Sequence, residues 1–116
     1  MKKLLTLILA GFFLCFNGCS DDCDQGNPTI RLVNNGTAKA DIQIKTSGGN
    51  TININNIQIG ESSEKRTFAP GDIEFTIAIQ GVNDPIVYNL KVFYCMDYVV
   101  TVNPDNTVSG ASTERD

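Results

Sequence analysis

The sequence predicts an all-β domain, a small β-sandwich of about seven short and mostly antiparallel strands, and three observations carry that prediction. From Thr29 onward the apolar residues recur with a period of two rather than 3.6. Clusters of turn-forming residues, such as Ser47-Gly48-Gly49-Asn50 and Ala69-Pro70-Gly71-Asp72, punctuate the alternation at short intervals. No internal repeat and no second domain interrupts the pattern in a chain of 116 residues. An immunoglobulin-like and a transthyretin-like topology both remain open; the chain has no Trp, so the buried Trp of true immunoglobulin domains is missing.

The first strand is Thr29–Asn34, with Ile30 and Leu32 on one face. Asn34-Asn35-Gly36 follows as a turn, Asn-Gly being the strongest short hairpin signal. Ala38–Thr46 alternates cleanly, Ala40, Ile42 and Ile44 facing in. Thr51–Ile59 begins with Ile52 and Ile54 on one face, then Ile57 and Ile59 take over. A slip of one residue flips the faces unless a bulge absorbs it, so a bulge or break is expected at Asn55–Asn56. Glu64–Phe68 is short and polar, which suits an edge. Asp72–Gln80 carries the best alternation, through Ile73, Phe75, Ile77 and Ile79. Ile86–Cys95 is apolar on both faces and reads as a central strand, with Tyr88 and Tyr94 facing inward. Tyr98–Val102 closes the core through Tyr98, Val100 and Val102. After the turn at Pro104-Asp105-Asn106, Thr107–Ser109 adds a last short strand and the tail frays from Gly110.

The N-terminus has a different character. Lys2 and Lys3 precede an apolar run from Leu4 to Phe16, 13 residues long. A bilayer-spanning helix needs about 20 apolar residues, so the run fits the hydrophobic region of an export signal. Next stands Phe16-Asn17-Gly18-Cys19, a small residue before a Cys. This resembles the lipobox of bacterial lipoproteins, although Phe16 and Asn17 depart from its usual Leu and small residue. The resemblance implies that residues 1–18 are removed and that Cys19 becomes a lipid-bearing first residue. Ser20-Asp21-Asp22 follows directly. It resembles the acidic export signal of Bacteroidetes lipoproteins, which implies an outer-membrane protein displayed on the cell surface rather than on the periplasmic face. The expected organisation is a signal peptide at 1–18, an acidic tether at 19–28, the sandwich at 29–110 and a flexible tail at 111–116.

Export sets the reading of the four Cys. Cys15 leaves with the signal and Cys19 takes lipid. Cys23 and Cys95 remain as two thiols in an oxidising compartment, where a disulfide is the simplest outcome. A metal or redox pair is the alternative. Two Cys in a chain with no His make a poor zinc site, and the spacing is not that of a C-x-x-C redox motif.

Charge limits the partners. The whole chain carries −4; loss of Lys2 and Lys3 leaves seven basic against thirteen acidic residues, or −6. The seven are dispersed, with only Lys65 and Arg66 adjacent, which argues against nucleic acid. Membrane attachment must then come from lipid rather than from a basic patch. The absence of His excludes His-dependent triads and imidazole acid–base chemistry.

Four constellations could carry chemistry. Ser62 and Lys65 form an S-x-x-K pair, but that nucleophile motif works at a helix start, and in an extended chain residues three apart face opposite ways. Asn103, Asp105, Thr107 and Glu114 fall at calcium-loop spacing, yet Val108 stands where Gly is required. Ser47–Asn50 could cradle an anion, but no helix follows it. Glu61, Glu64, Asp72, Glu74, Asp84 and Asp97 occur singly, and a glycosidase needs two carboxylates across a cleft. Most of the mature aromatics fall on inward faces; Phe68 and Phe93 are the first candidates for exposure. The expected protein is therefore a non-enzymatic, lipid-anchored binding or structural module, with no metal and no cofactor. Its partners are the membrane and a protein or glycan of unknown identity. A glycan- or peptide-binding accessory subunit of a larger surface complex is the competing expectation.

Overall fold

The structure, a computed structural model, describes residues 26–115. The strands are β1 (Thr29–Asn34), β2 (Ala40–Lys45), β3 (Thr51–Ile57), β4 (Arg66–Thr67), β5 (Gly71–Ile79), β6 (Ile86–Val92), β7 (Met96–Val102) and β8 (Val108–Glu114). They form two four-stranded sheets, ordered β4-β1-β7-β8 and β3-β2-β5-β6. The expected all-β sandwich is present. Neighbouring strands are antiparallel except β1 and β7, which run parallel in register from Thr29 opposite Asp97 to Asn34 opposite Val102. An immunoglobulin sheet sets its first two strands side by side, whereas here β1 and β2 belong to different sheets. Of the two topologies left open by the sequence, the transthyretin-like one is compatible with this order.

Alternation builds the core. Ile30 and Leu32 of β1, Ile42 and Ile44 of β2, and Tyr98, Val100 and Val102 of β7 are all buried. They meet Ile73, Phe75, Ile77 and Ile79 of β5, the strand with the cleanest period. Each such side chain contributes about 1.5–3 kcal/mol by leaving water. The ring of Phe75 lies 6.2 Å from that of Tyr88, tilted by 43°.

The bulge falls where the slip in alternation predicts it. Ile42 pairs with Ile54 but Ala40 pairs with Ile57, so β3 holds one residue more than β2 at Asn55–Asn56. Asn56 takes a left-handed φ of 61°, a conformation Asn tolerates better than most residues. Its N–H donates to Asp41 Oδ1 at 2.7 Å, and Lys39 Nζ donates to its side-chain oxygen at 3.0 Å. The bulge turns Ile57 into the core. The strand then ends, and Ile59 is exposed in the following turn rather than continuing the inward face.

Other expectations need correction. Asn34-Asn35-Gly36 does not close a hairpin but carries the chain from one sheet to the other. β6 ends at Val92 and lies at a sheet edge, not at the centre. Its apparent second apolar face consists of Val87, which points to solvent, and of Phe93 and Cys95, which lie beyond the strand. Tyr94 also lies beyond it and is exposed rather than inward, and Phe68 is buried while Phe93 is exposed. The C-terminal residues expected to fray form β8 as far as Glu114, paired along the whole of β7. Their Ser, Gly, Ala and Thr side chains carry no hydrophobic signal, but their backbone satisfies the open edge of β7. The two-residue β4 lies at an edge, as its polar sequence suggests.

The hairpins β2–β3, β5–β6 and β7–β8 stay within a sheet, and the other connections cross between sheets. One pole of the sandwich gathers the starts of β1, β3, β5 and β7 and the ends of β2, β4, β6 and β8. The chain enters there, before Thr29, and leaves there, after Glu114. This end of the sandwich is the tether pole. The opposite pole holds the connections 35–39, 58–65, 80–85 and 103–107.

Candidate functional site at the tether pole

At the tether pole three segments that are distant in sequence are tied together. Cys95 stands in the β6–β7 turn with a left-handed φ of 66°. Its N–H donates to Gly26 O at 2.7 Å, and its carbonyl accepts from Arg115 N at 2.8 Å. The incoming chain, the turn and the C-terminal end are thus joined through one residue. Side chains reinforce the knot. Thr29 Oγ1 donates to Asp97 Oδ1, Arg115 Nη2 donates to Asn27 O, and Arg115 Nε lies 3.4 Å from Asp97 Oδ1. Phe68 N–H donates to Pro28 O at 2.9 Å, which fastens the same incoming segment to the β4–β5 turn. Half-exposed ion pairs contribute little alone, about 0–1 kcal/mol. Here Asp97 joins a hydroxyl and a guanidinium, so the pair also orients both chain ends.

A Cβ added to Gly26 would stand 3.9 Å from Cys95 Sγ and 3.2 Å from Arg115 Nη2. The side of Gly26 on which a Cβ would stand therefore faces the sulfur of Cys95. Cys19, Cys23, the Ser20-Asp21-Asp22 signal and the lipobox itself lie outside the described residues.

The other sequence candidates are not brought together as chemical sites. The carboxylate of Asp105 accepts from Thr107 N at 3.1 Å and from Thr107 Oγ1 at 2.6 Å. Glu114 sits at the tether pole opposite Met96, whereas this turn adjoins Val102 and Val108 at the other end of β8. The calcium-loop spacing thus spans a whole strand. The Thr107 hydroxyl, and then its amide, hold the Asp105 carboxyl below its ordinary value of 3.8. In the β2–β3 turn, Gly49 N donates to Thr46 O and Asn50 N to Thr46 Oγ1, so those donors serve the turn instead of an anion. Ser62 makes an isolated bridge to Val33 in extended chain, without the helix its pairing with Lys65 would need.

Asp72 and Glu74, read singly in the sequence, share the outer face of β5 and line one shallow hollow with Lys45 and Asn89. Each carboxylate has a lysine across the strand, Lys91 opposite Asp72 and Lys45 opposite Glu74. That is the usual charge pairing of a solvated sheet face. The described residues form open hollows of about 250, 230 and 210 Å³. These are smaller than the roughly 300–1,000 Å³ of small-molecule pockets. What sequence reasoning missed is Asp97 and Arg115, the clasp on the chain ends. Nothing in the spacing of residues 18 apart marks them as neighbours.

No protein-family model matches the chain, and no curated protein matches it. Among solved structures it is similar to the C-terminal domain of AlgF from P. aeruginosa, at 12% identity with a TM-score of 0.51. The likeness covers 78% of this chain and 100% of that one. At that identity the likeness is one of fold: the chain shares a small β-domain architecture with that protein.

Proposed function

We propose that this chain is a non-enzymatic, lipid-anchored envelope protein whose sandwich is held at the outer membrane by Cys19, on the cell-surface side. The observation that carries the reading is the lipobox-like Gly18-Cys19 after a basic start and a short apolar run. The clasp at the tether pole supports it. A protein held by its N-terminus needs that end fastened to the fold, and Gly26, Asn27 and Pro28 are each hydrogen-bonded to a different segment. The opposite pole and the outer sheet faces would then be presented away from the lipid. Replacing Cys19 by Ala (Cys19→Ala) is expected to abolish labelling of the chain by an acyl-chain probe; unchanged labelling overturns the reading.

A disulfide between Cys23 and Cys95 belongs to the same proposal. Cys23 is three residues from Gly26, a reach of about 10 Å. A Cβ at Gly26 would come within van der Waals range of the Cys95 sulfur, and a disulfide needs Cα atoms only about 5.5–6 Å apart. Mass spectrometry of the unreduced exported protein should find the two peptides joined. Two alkylatable thiols in that preparation would refute the bond.

The second reading, a glycan- or peptide-binding accessory subunit, is favoured by one observation: Phe93 and Tyr94 are both more than half exposed, side by side in one turn.

A further inference from the structure

We propose that the β6–β7 turn is a membrane-contact element, in which Phe93 and Tyr94 enter the headgroup region of the same lipid surface that holds Cys19. The inference rests on the lipid-anchor reading and adds to it which side of the sandwich faces the bilayer and which residues touch it.

The two rings are 57% and 54% exposed. The other exposed apolar side chains, Ile59, Val82, Val87 and Val99, are aliphatic and occur singly on other parts of the surface, which is ordinary for a soluble domain. Two adjacent aromatic residues on one turn are not accounted for in that way. The turn is held rigidly. Phe93 N–H donates to Tyr98 Oη at 3.0 Å, and Tyr98 is itself buried in the core. At the other end Cys95 is fixed by its left-handed backbone and by Gly26 and Arg115. The rings are thus displayed on a fixed support rather than collapsed onto the sandwich.

Covalent reach identifies the occupant. Cys19 is seven residues from Gly26, so the lipidated residue lies within about 24 Å of the tether pole. If Cys23 is joined to Cys95, the leash shortens to four residues, or about 14 Å, and it starts from the residue next to Tyr94. Charge does not oppose the approach. Although the protein is acidic as a whole, three carboxylates of this pole have a cationic neighbour, with Lys45 opposite Glu74, Lys91 opposite Asp72, and Arg115 against Asp97, while Glu114 adds a negative charge there and Arg66 of β4 a positive one. Aromatic residues with one apolar and one polar end settle at the membrane–water interface, and Tyr94 beside Phe93 supplies that combination.

The chain has no Trp, so a single introduced indole reports alone. The test uses full-length lipidated protein carrying Phe93→Trp or, separately, Ile59→Trp at the opposite pole. Each is reconstituted into vesicles of phosphatidylethanolamine with a minority of phosphatidylglycerol, with and without brominated acyl chains. Bromolipid is expected to quench Phe93→Trp by about twofold and to leave Ile59→Trp unchanged, as an interfacial position requires. Tyr94→Trp should behave like Phe93→Trp, which guards against a local effect of one substitution. Equal quenching at the two poles, in protein that floats with the vesicles, overturns this inference and leaves the anchor standing. Failure of the wild-type chain to float with vesicles overturns the anchor and the inference together. A change in Phe93→Trp emission on adding cell-wall oligosaccharide, without quenching by bromolipid, would assign the rings to a glycan and overturn the proposal.

Discussion

The carboxamide of Asn34 is 1% exposed and uses both of its donors and its acceptor. It donates to Ala38 O at 2.9 Å and to Ile57 O at 2.8 Å, and it accepts from Gly36 N at 2.9 Å. One side chain thereby holds the crossing from β1 to β2 against the end of β3. Asn34→Ala leaves two buried partners and a partly buried one unsatisfied and should cost about 2–4 kcal/mol, read as a lower denaturant midpoint with an unchanged slope. The sequence marks this residue only as part of a turn, because Asn before Asn-Gly looks the same whether its side chain is solvated or buried. Gly36 shares the constraint: a Cβ there would come within 2.6 Å of Asn106 Oδ1 and 2.9 Å of Val102 Cγ1. Asp105 is fully exposed and its effect is local. Its folded pKa is depressed, so its support of the turn is complete above its ordinary value of 3.8 and is lost as pH falls through the lower folded value. An NMR titration of the Asp105 carboxyl should give a midpoint below 3.8, and Thr107→Ala should return it toward that value.

Among the elements, β5 is the most legible in the sequence and β8 the least, for one physical reason. A strand buried on one face writes its period in hydrophobic residues, as Ile73, Phe75, Ile77 and Ile79 do. A strand that contributes mainly backbone writes nothing, and β8 is exposed from Ser109 to Glu114. Its position beside β7 follows from the need to pair the edge of β7, a need that the alternation of residues 108–114 does not express. Truncation after Gly110 removes the ladder from Val99–Ala111 to Met96–Glu114, together with the Arg115 clasp. The expected loss is about 2 kcal/mol, or roughly 10 °C in the melting midpoint of a domain of this size. An unchanged midpoint would mean that β8 adds no stability. The bulge in β3 is legible because a strand that keeps one face buried through a slip in its apolar period must absorb an extra residue. β6 imitates a central strand because Phe93 and Cys95, which adjoin it in sequence, mimic a second buried face together with Val87.

At the scale of the whole molecule, the sandwich architecture can be read from periodicity and turns, while the pairing of its strands cannot. The site follows the same division. Cys95 is visible as the one Cys among residues 26–115, but the clasp of Asp97, Arg115 and Thr29 around it depends on a parallel pairing of strands 68 residues apart. The proposed Cys23–Cys95 bond would close a loop of about 70 residues and add about 4 kcal/mol in the chain-entropy model. Reduction of the exported protein should therefore lower its denaturant midpoint without altering far-UV circular dichroism at low denaturant. The parallel pair also has a mechanical consequence. β1 and β7 lie in the interior of their sheet and both begin at the same pole. A pull through the N-terminus runs along β1 and loads its rungs on β7 in shear, so several hydrogen bonds must fail at once. The same pull on an edge strand peeled sideways would break them one by one. A body tugged between its N-terminus and its far end would thus resist unravelling along the axis of that pull.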